Sequence, residues 1–451
     1  MLNSWSVAKF GGTSMADEFA IRRSAKVVAG DKSVQLVVVS ATSGTTNQLL
    51  SLIESTQKES WNEAQDIIEK IRIKHLKICD NMGVSENIKS QIVKLLKELE
   101  TISRGLFLLK DPTKKAIDQI QSIGERMSSH FMVKALQEDA YDRVEYLDAR
   151  SIIFTDDNFG KALPDIERTE ENAKEYLEAI LKDGGVFVTQ GFIGRSPDGF
   201  TTTLGRGGSD YSAALFAEAI SAKELQIWTD VAGVATTDPR LCPEAKPIEE
   251  LSYKEAAELA TFGAKVLHPT TLWPAMRKKI PVFVGSSMES GRSGTWIRES
   301  SNDQPTVRAM AIRKNQSLLT LTTPRMLHTH GFLAKVFTVF DKYKLSVDLI
   351  TTSEISIALT LNDANLLNKS LLKELKEFAE VKVDEDLSLI SIIGNRVQET
   401  AGLSKTIFSE ISDVNVRMIC VGASENNVGF LVASAEAESA LKKLHKKFLE
   451  D

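Results

Sequence analysis

Cysteine, proline and tryptophan are all scarce in this chain, at three, eleven and five among 451 residues. Cys79, Cys242 and Cys420 stand far apart, with no paired framework and no metal-ligand spacing. This excludes a disulfide-stapled scaffold and points to buried thiols in a reducing, cytoplasmic compartment. The beginning, MLNSWSVAKFGG, has neither a basic leader nor an apolar stretch of signal length, and no run approaches about 18 consecutive apolar residues, so neither secretion nor a membrane span is expected. Six histidines show no HxxxH or HExxH pattern, so no metal ligand is assigned by spacing. A net charge of −6 argues against nucleic acid as the main partner. The Walker pattern GxxxxGK[ST] is absent, and GRGGSD lies too late in its domain to serve as a dinucleotide fingerprint.

What is present is length enough for two or three domains and a sizeable core. Over residues 1–298, apolar runs alternate with helical patterns. Strands are expected at 6–10, 34–40, 143–147, 186–192, 225–230 and 281–284, and helices at 17–29, 170–182 and 252–260. A long helical stretch between the second and third strands breaks near 80–85 and 111–113. VQLVVVS, at 34–40, is a β-branched run suited to a strand buried on both faces. Strands separated by helices of this length imply a mostly parallel α/β sheet, with ligands at the carboxyl ends of its strands. That rule gathers Lys9 to Ser14, Ser40 to Asn47, Gly191 to Gly194, Arg206 to Asp210, and Thr229 with Asp230 into one region.

The densest candidate is TTTLGRGGSDYSAA at 201–214. Gly205, Gly207 and Gly208 permit positive φ and converging N–H groups, Arg206 adds a planar cation, and Ser209 or Asp210 can cap the following helix. With a second glycine turn at Lys9, Gly11 and Gly12, the pattern favours a triphosphate over a dinucleotide. Taken singly, Lys9 equally fits a surface lysine after a strand. Lys265 equally fits a dipole partner at a helix C-terminus, and Glu125 a solvated helix-start acid.

A linker composition, ESSNDQP at 299–305, precedes an internal repeat. Gly331 aligns with Gly402, Phe337 with Phe408, Leu345 with Val416, Ser353-Glu354 with Ser424-Glu425, and Leu359 with Phe430, at a constant offset of 71 positions (331 to 402, 359 to 430). Each copy reads strand, helix, strand, strand, helix, in the first copy at 317–322, 331–342, 347–352, 355–361 and 369–378. The first can close with a strand at 381–383 into a ferredoxin-like βαββαβ unit, whereas the second lacks a final strand, and residues 306–313 are expected to supply it. Asp348 and Ser346 face Ile419 and Arg417 in the alignment, which makes the first copy the candidate for a small charged ligand.

KFGGTS at 9–14, VVSATSGTTN at 38–47, TQGFIG at 189–194, TTTLGRGGSDYSAAL at 201–215, WTDV at 228–231, TTDPR at 236–240 and FGAKVLHP at 262–269 together resemble the aspartate kinases of the amino-acid kinase family. The region 299–451 resembles that family's paired ACT domains, and RMLHTHGFLAKVF with SVDLITTSE is similar to the lysine-sensitive type. The resemblance implies an αβα sandwich over 1–298, a first ACT domain within 299–385 and a second over 386–451. It implies ATP with Mg²⁺, L-aspartate as substrate, L-lysine as effector and a homodimer or dimer of dimers. By resemblance Lys9 holds the transferring phosphoryl group beside Gly11 and Gly12, and Asp210 orients the cations. Arg206 grips a substrate carboxylate, Glu125 the α-amino group, and Ser40 and Thr46 line the same pocket. Gly207, Gly208, Ser209, Thr229, Asp230, Arg240, Lys265 and Val266 surround the nucleotide. Met326, Thr329, Gly331, Phe332, Leu333, Ser346, Val347, Asp348, Ser353 and Glu354 surround lysine. Ala235 stands where relatives carry a tyrosine near the adenine, so base stacking is expected to be weaker here.

Overall fold

β1 (Ser6–Phe10) is buried along its whole length, including the side chain of Lys9, and every other strand of the first sheet is arranged outward from it. In the computed structural model the described residues are 4–58, 60–139, 141, 143–180, 185–263, 269–289, 293–326, 330–362 and 367–450. They divide into two units. One comprises 1–234, 247–253 and 266–301; the other comprises 235–246, 254–265 and 302–451.

The first unit runs through α1 (Glu18–Ala29), β2 (Val34–Val39), α2 (Thr45–Gln57), α3 (Trp61–Met82), α4 (Glu86–Leu109), α5 (Lys114–Asp139), β3 (Val144–Leu147), α6 (Ile166–Ile180), β4 (Val186–Gln190), β5 (Ile193–Arg195), β6 (Thr201–Thr203), α7 (Gly208–Ala219) and β7 (Glu224–Thr229). β8 (Glu250–Ser252) leads into α8 (Tyr253–Phe262), which apart from its first residue belongs to the second unit. α9 (Pro269–Lys278), β9 (Val282–Ser286) and β10 (Gly294–Arg298) complete the first. The sheet order is β3-β4-β2-β1-β7-β9-β10-β8. All pairings are parallel except β9 with β10, because a parallel neighbour needs a crossover and the chain between these two strands is too short for one.

Local signals account for the helix ends. Asp17 caps α1 by accepting from the Ala20 N–H at 2.9 Å, and Ser85 caps α4 by accepting from Ile88. α3 stops on Gly83 with φ 57°. The apolar stripe Ile92, Leu95, Leu96 and Leu99 of α4 joins one core with α1, α2, α3, α5 and the sheet, while α6, α7 and α9 pack among themselves, which makes the layered αβα sandwich. The three-residue strands β5, β6 and β8 went unanticipated because three residues carry too little alternation to register.

The second unit contains two copies of one motif on a continuous sheet. β11 (Ala309–Thr322), α10 (Phe332–Lys342), β12 (Ile350–Thr352), β13 (Ser356–Leu361), α11 (Lys369–Lys376) and the start of β14 (Glu380–Ile393) make the first; the rest of β14, α12 (Leu403–Glu410), β15 (Met418–Cys420), β16 (Asn427–Ala433) and α13 (Ser434–His445) make the second. The order is β12-β13-β11-β14-β16-β15. β11 pairs through 317–322 with β13 and through 309–313 with residues 389–393 of β14. The register shifts between these halves, beside Asn315 at φ 60° and Asp386 at φ 56°, so each long strand bends where one copy gives way to the other. Two separate cores follow, one around Leu319, Val336, Phe340 and Leu359, the other around Ile390, Ile407, Phe430 and Leu441. Both copies open their first helix on a left-handed glycine, Gly331 at φ 79° and Gly402 at φ 82°. The strand expected at 347–352 is reduced to β12, since the Asp348 and Leu349 amides bond to the Thr360 carbonyl and hydroxyl outside the regular ladder.

Candidate active site

Three turns meet beyond the carboxyl ends of β1, β2 and β7. Gly11 donates its N–H to the Trp228 carbonyl at 3.1 Å, which ties the first turn to β7 just before Thr229 and Asp230. The Ser40 amide donates to the Phe10 carbonyl at 3.0 Å. A Cβ at Gly12 would stand 3.5 Å from the Ala41 carbonyl oxygen, so the first two turns lie side by side.

Lys9 is the charge at the centre. Its Nζ lies 2.5 Å from Asp210 Oδ1 on the first turn of α7, with side-chain exposures of 9% and 18%. The contact is Coulombic, since Oδ1 makes no hydrogen bond of ordinary geometry. Asp210 is therefore not the cap of α7, and neither is Ser209. The cap is Gly207 at φ 71°, with no side-chain bond, and the carboxylate expected there is turned to Lys9 instead. Gly208 donates its N–H to the Gly205 carbonyl at 3.0 Å, which leaves those of Ser209 and Asp210 on the first turn of α7 available to an anion. α7 docks closely because Gly191 and Gly208 lack side chains: a Cβ on either would come within 2.6 Å of Ser209 Cβ or Phe192 Cδ2.

Glu125 is fully enclosed and is no solvated helix-start acid. It accepts from the Ala41 N–H at 3.2 Å, from a position midway along α5. Burial pushes its carboxyl up to about 7, while backbone N–H groups and the charge of Lys9 oppose the rise. The site thus holds one cation already matched by Asp210 and an acid at the edge of ionisation. Gly124 makes this possible, since a Cβ there would meet Ala41 Cβ at 2.8 Å.

The turn opening α2 is built in the same way as that of α7, on Gly44 at φ 77° without a side-chain cap. Ser40 is half-buried, and Thr46 is exposed on the first turn. Lys74 reaches this turn from α3, donating to the Ser43 carbonyl at 2.5 Å and to Thr45 Oγ1 at 3.2 Å, with desolvation lowering its pKa. Beside it His75 is buried, donating from Nδ1 to the Ile71 carbonyl and so accepting at Nε2 from Thr42; burial pushes it down to about 4, so it is neutral. Neither residue carries a signal in the sequence, because both lie on a long helix whose charges read as a solvated face. Arg206 is exposed and has no ion pair among the described residues, while Thr229 donates to Asp230 at 3.1 Å. Arg240 falls in the second unit, where Asp238 takes its guanidinium. Lys265 and Val266 lie outside the described residues.

In the second unit, Asp348 Oδ1 is 3.1 Å from Arg313 Nη1, and its buried Oδ2 has no hydrogen-bond partner among the described residues. Ser346 and Glu354 are exposed, Leu333 is 40% exposed, and Met326 and Val347 pack on the first copy's core. Phe332 meets Phe378 edge-on at 5.8 Å, and Ser353 Oγ lies 2.7 Å from Ser356 Oγ. Gly331 supplies the helix start, and Thr329 lies outside the described residues. No helix among the described residues is long and apolar enough to cross a membrane.

Comparison with known proteins agrees with this architecture. Residues 4–286 match the amino acid kinase family, and residues 390–448 match an ACT domain. The chain is 45% identical to the lysine-sensitive aspartokinase 3 of Escherichia coli K12, over 98% of this chain and 99% of that protein. Two crystal structures of E. coli aspartokinase III superimpose over 99% of this chain and all of theirs at 44% identity. The TM-score is 0.89 for the complex with aspartate and ADP, called the R-state, and 0.84 for the complex with lysine and aspartate, called the T-state. With the buried lysine, the glycine-opened helices and the paired ACT-type copies all in place, the chain belongs to the aspartokinases, kinases of the amino acid kinase family.

Proposed function

We propose that this enzyme transfers the γ-phosphoryl group of ATP to the β-carboxylate of L-aspartate, giving 4-phospho-L-aspartate. In this reading the reaction opens lysine, threonine and methionine biosynthesis in the cytoplasm, and L-lysine at the first ACT domain suppresses it. The observation that carries the proposal is the buried Lys9–Asp210 pair with Glu125 beside it. The nucleophile is already an anion at pH 7, so no general base is required. The obstacle is bringing an anion to a polyanion, which calls for fixed donors around the phosphoryl group. Lys9 meets the transferring group, with the N–H groups of Gly12, Gly207 and Ser209 toward the phosphates, while Gly11 and Gly208, whose N–H groups bond the Trp228 and Gly205 carbonyls, shape the two turns and let the phosphates approach the backbone. Asp210 holds Lys9 in position. The α-ammonium of aspartate supplies the cation that Glu125 lacks, so substrate binding ionises that acid. Arg206, without an ion pair among the described residues, takes the α-carboxylate, and Ser40 and Thr46 line the pocket. Asp210 and Asp230 carry hard carboxylate oxygens that would hold the Mg²⁺ accompanying ATP, and the ion would supply charge neutralisation at the phosphates. Thr229, Arg240, Lys265 and Val266 are assigned to the nucleotide.

For regulation, Asp348 has a buried oxygen without a hydrogen bond among the described residues, as suits a site for an ammonium group. Glu354 is assigned the second ammonium, and the backbone near Gly331 the carboxylate. Binding acts through its differential affinity for two states of the enzyme. Exposed Leu333, Phe337, Ile350 and Ile355, with Ile419 and Val421, support self-association through the ACT-type copies, as a homodimer or a dimer of dimers. Trapping the acyl phosphate with hydroxylamine, with and without L-lysine, tests the whole reading. Lysine-suppressed product formation from aspartate is expected. Product formation that lysine leaves unchanged would remove the effector, and absence of product would remove the substrate.

A further inference from the structure

Cys242 and His445 are 203 positions apart in the chain, yet Cys242 Sγ lies 3.5 Å from His445 Nδ1 in the second unit. Glu450 Oε1 is 2.7 Å from the same nitrogen. The three ligand atoms all fall within 4.8 Å of one another, and the sulfur and imidazole are 1% and 0% exposed. Spacing in the sequence carries no trace of this cluster, because its parts come from the segment 235–246, the last residue of α13 and the terminal turn 446–450.

We infer that Cys242, His445 and Glu450 form a binding site for a borderline-soft divalent cation of the Zn²⁺ class. The donor set supports it: thiolate and imidazole select such a metal over Mg²⁺, and three protein ligands with water in the fourth position make a known coordination type. Metal bonds of about 2.0–2.3 Å place ligand atoms roughly 3.3–3.7 Å apart in a tetrahedron. The observed sulfur–nitrogen separation lies in that range. The nitrogen–oxygen contact is shorter, as for a hydrogen bond, and must open by roughly half an ångström on metal binding. Glu450 can supply that movement, since its side chain is 25% exposed on the terminal turn.

The imidazole is prepared for this role by Thr236. Its Oγ1 lies 2.9 Å from His445 Nε2 and accepts from the Lys246 N–H at 2.9 Å. Without metal, the hydroxyl donates to Nε2 and Nδ1–H donates to Glu450. With metal on Nδ1, the proton moves to Nε2, and the second lone pair of Thr236 accepts it. One hydroxyl thus serves both tautomers and keeps the ring aimed at the site. The Lys246 ammonium also bonds the Leu449 carbonyl at 2.8 Å, which holds the terminal turn against this segment. Glu244, 3.4 Å from the sulfur, adds negative charge beside it.

Cobalt(II) titration of the full-length reduced enzyme, without nucleotide, tests the site. The expected result is saturation near one equivalent, a near-ultraviolet sulfur-to-cobalt charge-transfer band and visible bands of tetrahedral intensity, all removed by an equivalent of Zn²⁺. Cys242→Ser abolishes the charge-transfer band while circular dichroism shows the fold retained. Glu450→Gln keeps the band and weakens affinity by about tenfold or more. No thiolate band at excess cobalt overturns the inference, as does a band that survives in Cys242→Ser.

Discussion

Two buried ion pairs, one in each unit, follow the same electrostatics to opposite ends. In the second unit Arg308 faces Glu255, at 3.0 Å from Nε to Oε1, and all three of its guanidinium nitrogens are engaged: the Asp303 carboxylate takes the other two, the Asp303 carbonyl takes Nη2 as well, and Asn395 donates to Glu255 Oε1. In the first unit Lys9 and Asp210 meet at one oxygen without an ordinary hydrogen bond. A buried charge with all its lone pairs and protons engaged is a joint. One left partly unengaged still has capacity for a ligand. Asp348, with one oxygen paired and the other unbonded, and Glu125, with one N–H on its carboxylate, fall on the second side of that division.

The strongest test of the contrast is Arg308→Ala. It strands Glu255, which is 0% exposed, and is expected to cost about 3–5 kcal/mol in urea unfolding. A loss below about 1 kcal/mol would place Arg308 with the working charges. Next, Lys9→Met is expected to lower kcat by on the order of 10²-fold or more; it also leaves the Asp210 carboxylate without its cation, so the melting temperature falls, though by less than in Arg308→Ala because Asp210 is 18% exposed. Turnover near normal would end its assignment to the phosphoryl group.

Glu125 sharpens the division through pH. Its folded pKa, about 7, lies above the ordinary 4.5, so the folded chain holds this proton more tightly. That stabilisation is complete below pH 4.5 and is lost as pH rises to 7, by about 3 kcal/mol at most. Glu125→Gln should flatten this part of the stability profile. In activity, kcat/KM for aspartate should rise toward pH 7 in the native enzyme, and the variant should lack that limb and stay low throughout. An unchanged limb would assign the titration elsewhere. The smallest effect is expected from Asp348→Asn. Lysine inhibition weakens by about tenfold, near 1.4 kcal/mol, with kcat unaltered, because Arg313 keeps Asn362 and the Thr261 carbonyl. Inhibition curves that superimpose would remove Asp348 from the lysine site.

Much of this was legible before any coordinates. Asp17 and Ser85 sit where caps belong, VQLVVV reads as a doubly buried strand, and Gly331 and Gly402 share an offset and a left-handed φ. Lys9, Asp210 and Glu125 were legible through motif resemblance, whereas their burial and pairing were not, because α5 and α7 reach β1 from far along the chain. Gly124 gave no signal, since its meaning lies in the side chain it must avoid. Grouping of 235–246 and α8 with the second unit was equally hidden: the contacts of Glu258 with Ser424 and Asn427 span long separations that no local pattern records.

The bend at Asn315 and Asp386 has a consequence for portability. Because β11 and β14 each run through both ACT-type copies, a cut at the boundary between copies severs two strands at once. Neither copy can be lifted out, exchanged between relatives or lost by deletion while the other stays whole. A fragment beginning at Asn315 should therefore fail to hold the second copy together, and the smallest piece of this half that can be inherited intact is the pair.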